Sequence, residues 1–452
     1  MMAPSSSSPQ DTTALLIEGW RGLNHSYSLI NQHQIVEFMQ IPNLRLFHHD
    51  LPYFNASWSR DRNSSNFPAA IQSLIDAIPE ANGQKTDCVY RVGFPFICGD
   101  ATDDRRTLTF MVTEFGLSPS GFATAAGVKG APDLGFLTRG SNLIVTPSHW
   151  ARDRIVDYGF PSSHIAVVPH GVDQSVFYPV DAERRAAIRA RLGIGDDEVV
   201  FLNVGGALWN KGADVLLRAF ADLRQSGVKA RLFFKDQSGL YGVRIQQTVS
   251  QTAATCPHLL DHDTIAAISV ISDNLSNDSL HELYNLADCY VSPYRAEGFN
   301  LPVLEAIACG LPVIVTAGGA TDDFCKDAVA VRIPGVLQTL DRQTHDAGGR
   351  YIEPDLDALT VAMTEFAKGK RPDPARYAAA REAVLSTLTW RNVSRQLASL
   401  VVGKAITRDR SDEITHAVQI MNLEVENARL RRLIADVTQG LNLIADTARQ
   451  SL

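Results

Sequence analysis

The feature that most constrains this chain is a rhythm of short apolar runs and helical stretches that plays through once before residue 170 and begins again near residue 198. In the first pass, residues 14–17 form a strand candidate, followed by Glu18, Gly19, Trp20, Arg21 and Gly22 and a polar helix start at about Asn24. Further strand candidates lie at 88–92, 108–112 and 143–146, with helical stretches at 69–78 and 150–157. Strands that alternate with helices line up in parallel, because each helix carries the chain back across the sheet, so the pattern predicts a doubly wound α/β domain. A strand candidate at 165–168 leads into Pro169, His170, Gly171, Val172 and Asp173, where a stiff residue beside a flexible one suits a domain crossing. The second pass has strand candidates at 198–203, 231–234, 267–271, 289–292 and 313–316. Its first helix, 214–223, places Val215, Leu216, Ala219, Phe220 and Leu223 on one face. Two sheet domains follow, at 14–172 and 173–375, and a hydrophobic content of 45% can fill both cores.

A helix at 387–402 carrying Trp390 ends the globular part, within a closing helical segment at 376–403. Beyond it, Ile420, Asn427, Ile434 and Leu441 repeat every seven residues, and Leu423, Leu430, Val437 and Ile444 do so in the alternate seam. Such an a/d stripe predicts a helical coiled-coil extension over 404–452 and a homo-oligomer through 415–446, most simply a parallel dimer with Asn427 paired across the axis. Residues 1–13 are Ser-rich and expected to be disordered. They lack a basic segment leading into an apolar one, and no apolar run reaches the ~18 residues that span a bilayer, so no transmembrane segment and a cytoplasmic location are expected. A net charge of −8 argues against a nucleic-acid partner. The six cysteines show no Cys-x-x-Cys pair and read as reduced, mostly buried thiols. His48, His49 and Asp50 look like metal ligands, but immediate neighbours rarely bind one ion, and no metal site is expected.

The chemistry concentrates between 287 and 323. Asn300 can cap a helix whose first turn contains Pro302, and Gly310 suits its far end. That helix begins just after the loop bearing Glu297, and its free N–H groups and dipole make a site for a diphosphate. Glu305, in or just past the first turn, can accept hydrogen bonds from ribose hydroxyls, while Glu297 faces whatever the phosphate carries.

The stretch from Glu297 to Glu305 resembles the Glu-x7-Glu signature of retaining glycosyltransferase family 4. The resemblance extends over about 140–400 and includes the run 306–319, Ser148–His149–Trp150, the Pro-His-Gly-Val-Asp hinge, and Lys211 with Gly212 after the second domain's first strand. It implies a GT-B fold: two Rossmann-like doubly wound parallel-sheet domains facing a cleft, the first for acceptor and the second for a nucleotide-sugar donor. The implied activity is metal-independent, hexosyltransferase-like transfer from a UDP-, GDP- or similar sugar, without further cofactor, to a hydroxyl of a polysaccharide, lipid-linked glycan or protein. Glu305 would bind the ribose and Glu297 the transferred sugar. The backbone at Gly298, Phe299, Asn300 and Leu301 would hold sugar hydroxyls and phosphate, and Lys211 would neutralise the leaving diphosphate. Gly22, in the loop 19–25, would approach the donor phosphates. Two departures stand out. Gly206 occupies the place of the family's second diphosphate cation, leaving Lys235 or Arg295 to supply it, and Thr113, Glu114 and Phe115 replace a loop histidine, with Glu114 the candidate contact. The alternatives are a sugar-nucleotide epimerase of the same fold and a degenerate, oligomeric scaffold.

Overall fold

The computed structural model describes residues 12–60, 67–98, 105–124, 141–326, 328–341 and 348–403, with residues 135 and 139. In the first domain, β1 (Thr13–Gly19), β2 (Leu44–Asp50), β3 (Cys88–Val92), β5 (Arg106–Phe110), β7 (Leu143–Thr146) and β8 (Ile165–Val167) form one sheet ordered β2-β1-β3-β5-β7-β8. Every pairing in it is parallel. A two-stranded ribbon of β4 (Phe96–Cys98) and β6 (Phe122–Thr124) lies beside it. Helices α1 (Ser26–Phe38), α2 (Ala69–Asp76) and α3 (His149–Tyr158) alternate with the strands. Parallel strands buried on both faces read as unbroken apolar runs, which is why β1, β3 and β7 are legible in the sequence. β2 was missed because it buries a polar residue: His48 is fully buried against Asn31 Nδ2 at 3.0 Å. The strand expected at 108–112 runs two residues earlier, since Met111 remains in the core after the chain has left the ladder.

The second domain repeats the plan. After α4 (Ala182–Arg191) come β9 (Val199–Val204), α5 (Ala213–Gln225), β10 (Ala230–Lys235), α6 (Ile245–Ala253), β11 (Ile268–Ile271), α7 (Asn277–Leu286), β12 (Cys289–Ser292), α8 (Leu301–Ala308), β13 (Val313–Thr316) and β14 (Ala330–Ile333). The sheet order is β11-β10-β9-β12-β13-β14, all parallel. Two cores cover its two faces, one under α5 and the other under α7 and α8. The order reverses between β9 and β12, so the loops leaving these two strands diverge and open a crevice at the switch point. An antiparallel hairpin absent from the sequence reading, β15 (Gly335–Leu340) and β16 (Gly349–Pro354), follows β14.

Three helices end the described chain: α9 (Leu356–Ala367), α10 (Pro374–Thr387) and α11 (Trp390–Val402). The helix expected at 387–402 is split because Thr389 caps α11 through Asn392 N–H, and the boundary drawn at 375 falls inside α10. The last helix returns to the first domain. Trp390, Val393, Leu397 and Val401 enter that domain's core, and His33 stacks on Trp390 with centroids 4.4 Å apart. Val172 N–H donates to Leu388 O at 2.9 Å, and Gly171 lies so close that a Cβ would sit 2.3 Å from Trp390 N. The heptad stripe of 415–446 lies outside the described residues, as do residues 1–11. Among the described residues, no helix is long and apolar enough to cross a membrane.

Candidate active site

Two loops interlock at the switch point of the second sheet. The loop after β9 ends in a 3₁₀ turn, Trp209–Lys211, and Gly212, whose φ of +71° and close approach to Pro293 O leave no room for a Cβ (1.9 Å). Across that contact Asn210 O accepts Arg295 N–H at 2.7 Å, and Asn210 Nδ2 donates to Ala296 O at 3.2 Å. The interlock delivers Lys211 Nζ to Glu297 Oε1 at 2.5 Å. Glu297 is buried, so desolvation pushes its pKa up, while the Lys211 ammonium pulls it back and Glu114 adds a smaller repulsion.

Arg295 has a different task from the phosphate contact considered for it. Its Nε and Nη2 donate to Glu353 at 2.7 and 2.8 Å, and Nη1 and Nη2 to Asp214 at 2.7 and 2.8 Å. The remaining Nη1 proton goes to Trp209 O at 2.9 Å. All five N–H donors are thus committed, and the guanidinium also lies 4.7 Å over the Trp209 ring. This arginine fastens the β9 loop, α5 and β16 together.

Asn300 stands at the start of α8 but does not cap it with its side chain. Its backbone is left-handed (φ 76°, ψ 64°), and Nδ2 donates to Ser292 Oγ at 3.0 Å instead. A non-glycine residue in that region costs about 1–2 kcal/mol, and such strain collects at functional sites. Turning the side chain away leaves the helix start without the carbonyl that would have competed with an anion for its N–H groups. Further into α8, half-buried Glu305 accepts Tyr284 O–H at 2.7 Å. Burial pushes the Glu305 pKa up to about 7, against the opposing pull of that hydrogen bond.

The first domain closes on this loop. Ser148 Oγ donates to Gly298 O at 2.7 Å, and a Cβ on Gly298 would lie 2.1 Å from Val112 Cγ2. Phe299 packs edge-on against His170 of the domain crossing, centroids 4.8 Å apart, and Leu301 touches both domains' cores. Glu114 is exposed, its backbone oxygen accepts Trp150 Nε1–H at 2.7 Å, and its charge raises the pKa of both Glu297 and Tyr27. Gly22 has φ +72° in the turn before α1 and donates to Gln32 Oε1 at 3.0 Å. Buried Lys235 donates from Nζ to Asp236 O, and burial lowers its pKa. The fold therefore gathers Lys211, Glu297, Gly298, Phe299, Asn300, Leu301 and Glu305 around one helix end, with Glu114 facing them. Tyr284 and the Asp214–Arg295–Glu353 clamp were missed. Tyr284 reads as an ordinary core residue of α7, and Glu353 comes from a hairpin with no local signal.

Two facing doubly wound domains closed by a helix returning to the first are the GT-B fold, and solved structures agree. The Anabaena Alr3699/HepE protein, solved in complex with UDP and glucose, aligns with a TM-score of 0.59 at 13% identity, covering 86% of this chain and 100% of that one. Residues 184–338, which contain Lys211, Glu297 and Glu305, match the family of glycosyl transferases group 1. Among similar curated proteins, mannosylfructose-phosphate synthase of Agrobacterium fabrum is 26% identical over 253 residues, 56% of this chain and 50% of its own length. The GDP-mannose-dependent alpha-(1-6)-phosphatidylinositol monomannoside mannosyltransferase of Mycolicibacterium smegmatis is 26% identical over 276 residues, 59% of this chain and 64% of its own. The chain thus spans about half to two thirds of these relatives.

The raised Glu305 pKa has a consequence for stability. A carboxylate with a folded-state pKa above its unfolded value of 4.5 binds more protons folded than unfolded between pH 4.5 and about 7, so it lowers stability as pH rises through that window. Glu305→Gln is expected to match the parent near pH 4.5 and to exceed it by up to about 3 kcal/mol at pH 8. Urea unfolding at the two pH values checks this, and a gap that does not widen with pH would contradict it.

Proposed function

We propose that this protein is a retaining glycosyltransferase that binds a nucleoside diphosphate sugar in the crevice of its second domain and passes the sugar to an acceptor hydroxyl presented from the first. One observation carries the reading: a Lys211–Glu297 pair beside the uncapped start of α8, with Glu305 about one turn into that helix. A helix start with free N–H groups accepts phosphate oxygens, and a lysine beside it adds a mobile point charge. Glu305, reached one helical turn further on, suits the vicinal hydroxyls of the ribose. Glu297, held by Lys211, faces the sugar that the diphosphate carries.

Departure of the diphosphate is the demanding step, since the breaking C–O bond adds a further negative charge to a group that already carries two. Lys211 and the α8 dipole meet that charge where a divalent cation would otherwise be needed. With Arg295 fully engaged, we assign the second positive charge to Lys235, whose carbonyl accepts Gly205 N–H at 2.9 Å and which therefore adjoins the loop leading to Lys211. Glu114 and the loop of Gly22 approach from the first domain. Retention follows when the acceptor enters on the face from which the diphosphate leaves. The words GDP-mannose-dependent in one relative's name, and UDP and glucose in one structural neighbour, support a nucleotide-sugar donor and leave its base and sugar open. The intact pair and the named relatives weigh against the epimerase and scaffold readings.

Incubation with a panel of nucleotide sugars is expected to release nucleoside diphosphate with at least one. Lys211→Ala and Glu297→Ala should each lower turnover by at least ~100-fold while the far-UV spectrum is kept, the scale of losing one preorganised charge partner. Near-parental turnover at saturating donor in either variant would remove that residue from the mechanism.

The stripe at 415–446 supports self-association, and a cytoplasmic location is part of the same proposal. Light scattering should show a dimer for the full chain and a monomer after truncation at Lys404; an unchanged state would refute it.

A further inference from the structure

At the C-terminal end of α5 the fold brings one donor against two others from more than thirty residues later in the chain. Asp222 sits in the last turn of α5, and Cys256 and His258 flank Pro257 at a 3₁₀ turn, Pro257–Leu260. One carboxylate oxygen, one thiol sulfur and one imidazole nitrogen lie within 4.8 Å of one another. We propose that they form a zinc site with three protein ligands and one position open to water.

Three observations carry the assignment. First, the contacts converge: His258 Nε2 is 2.7 Å from Asp222 Oδ1 and 3.3 Å from Cys256 Sγ. A hydrogen-bonded relay would use both ring nitrogens in opposite directions, whereas here the shorter contacts of both neighbours fall on Nε2, and Nδ1 lies 3.8 Å from the sulfur. One proton on Nε2 serves only one neighbour, while a cation between the three serves all of them. Second, the donor set of sulfur, nitrogen and carboxylate oxygen selects zinc over magnesium or calcium, which take oxygen alone. Bonds of about 2.3 Å to sulfur and about 2.0–2.1 Å to nitrogen and oxygen give a tetrahedron with edges of roughly 3.3–3.6 Å. On binding, the contact between His258 Nε2 and Asp222 Oδ1 opens by roughly 0.6 Å and that between Nε2 and Cys256 Sγ by about 0.2 Å. Third, the frame is built for this. Cys256 is buried, its N–H donates to Thr252 O at 3.0 Å, and its carbonyl accepts Leu259 N–H at 3.0 Å. The Asp222 and His258 side chains keep 39% and 25% of their exposure, which lets them adjust and leaves an entry path.

Burial and the Asp222 carboxylate push the Cys256 thiol up, against the smaller pull of the Arg218 charge. Arg224 is drawn away to the carbonyls of Val228, Ala230 and Asp263. On binding, the Cys256 thiol gives up its proton to solvent and the metal holds the turn to α5. Asp222 lies eight residues, about 12 Å of helix, beyond Asp214, which grips Arg295. The ion would therefore set the seat of the helix that carries Asp214, with no part in the donor chemistry.

The test uses the full chain stripped with a chelator and dialysed, with Co²⁺ as the probe. One equivalent should produce a thiolate-to-cobalt charge-transfer band, and Zn²⁺ should displace it. Cys256→Ser should abolish the band. Because that thiol is buried, the half-exposed Asp222→Asn and His258→Gln are measured too, and each should weaken Zn²⁺ binding by at least about tenfold. No band in the parent, a band that survives Cys256→Ser, or unchanged zinc affinity in the other two variants would each overturn the site. None of these readouts depends on transferase activity.

Discussion

The ion pair between Lys211 and Glu297 is the contact around which the second domain's crevice is arranged. A buried carboxylate is tolerated only when a cation and hydrogen bonds replace its lost water, and removing one partner of such a pair typically costs 3–5 kcal/mol. Lys211 reaches Glu297 because the β9 loop and the β12 loop touch at Gly212 and Pro293, and because Arg295 ties both to α5 and β16. The strand order supplies the rest, since only at the reversal between β9 and β12 do two successive loops open toward the same crevice.

Two carboxylates beside the proposed phosphate seat would ordinarily repel such a ligand. Here each is neutralised by a different device. Lys211 cancels the charge of Glu297, while burial raises the Glu305 pKa to about 7, so that this group is partly protonated at neutral pH and carries less charge before a ligand arrives. Tyr284 O–H fixes the orientation of that carboxyl. The strained Asn300, its side chain turned to Ser292, leaves the helix start of α8 without a side-chain cap. The first domain contributes uncharged side chains as well as the charge of Glu114: Ser148 and Val112 seat Gly298, and His170 seats Phe299.

Much of this was legible in the sequence, for reasons that differ from element to element. The strands Cys88–Val92, Leu143–Thr146, Cys289–Ser292 and Val313–Thr316 fall where their apolar runs place them, because burial on both faces keeps most of each strand apolar. Glu297 and Glu305 stand out beside a glycine and a proline-started helix, whereas Lys211 was picked out by the family resemblance. β2 was hidden by a buried histidine, and the β15–β16 hairpin by exposed side chains along nearly its whole first strand. Local spacing also misassigned two side chains. Asn300 sits where a cap belongs, but its φ turns it to Ser292, and Arg295 looks like a phosphate ligand until Asp214 and Glu353 arrive from 81 and 58 residues away. Long-range partners leave no trace in a local pattern. The Asp222–Cys256–His258 group escaped notice for the same reason.

We propose that the start of α8, Lys211 and Glu305 together form the seat of a nucleoside diphosphate. A crystal structure of the protein soaked with UDP or GDP tests it most directly. Diphosphate oxygens are expected on the backbone N–H groups at the start of α8 and on Lys211 Nζ, with both ribose hydroxyls on Glu305. A nucleotide bound elsewhere, or bound here with its ribose turned away from Glu305, would contradict it.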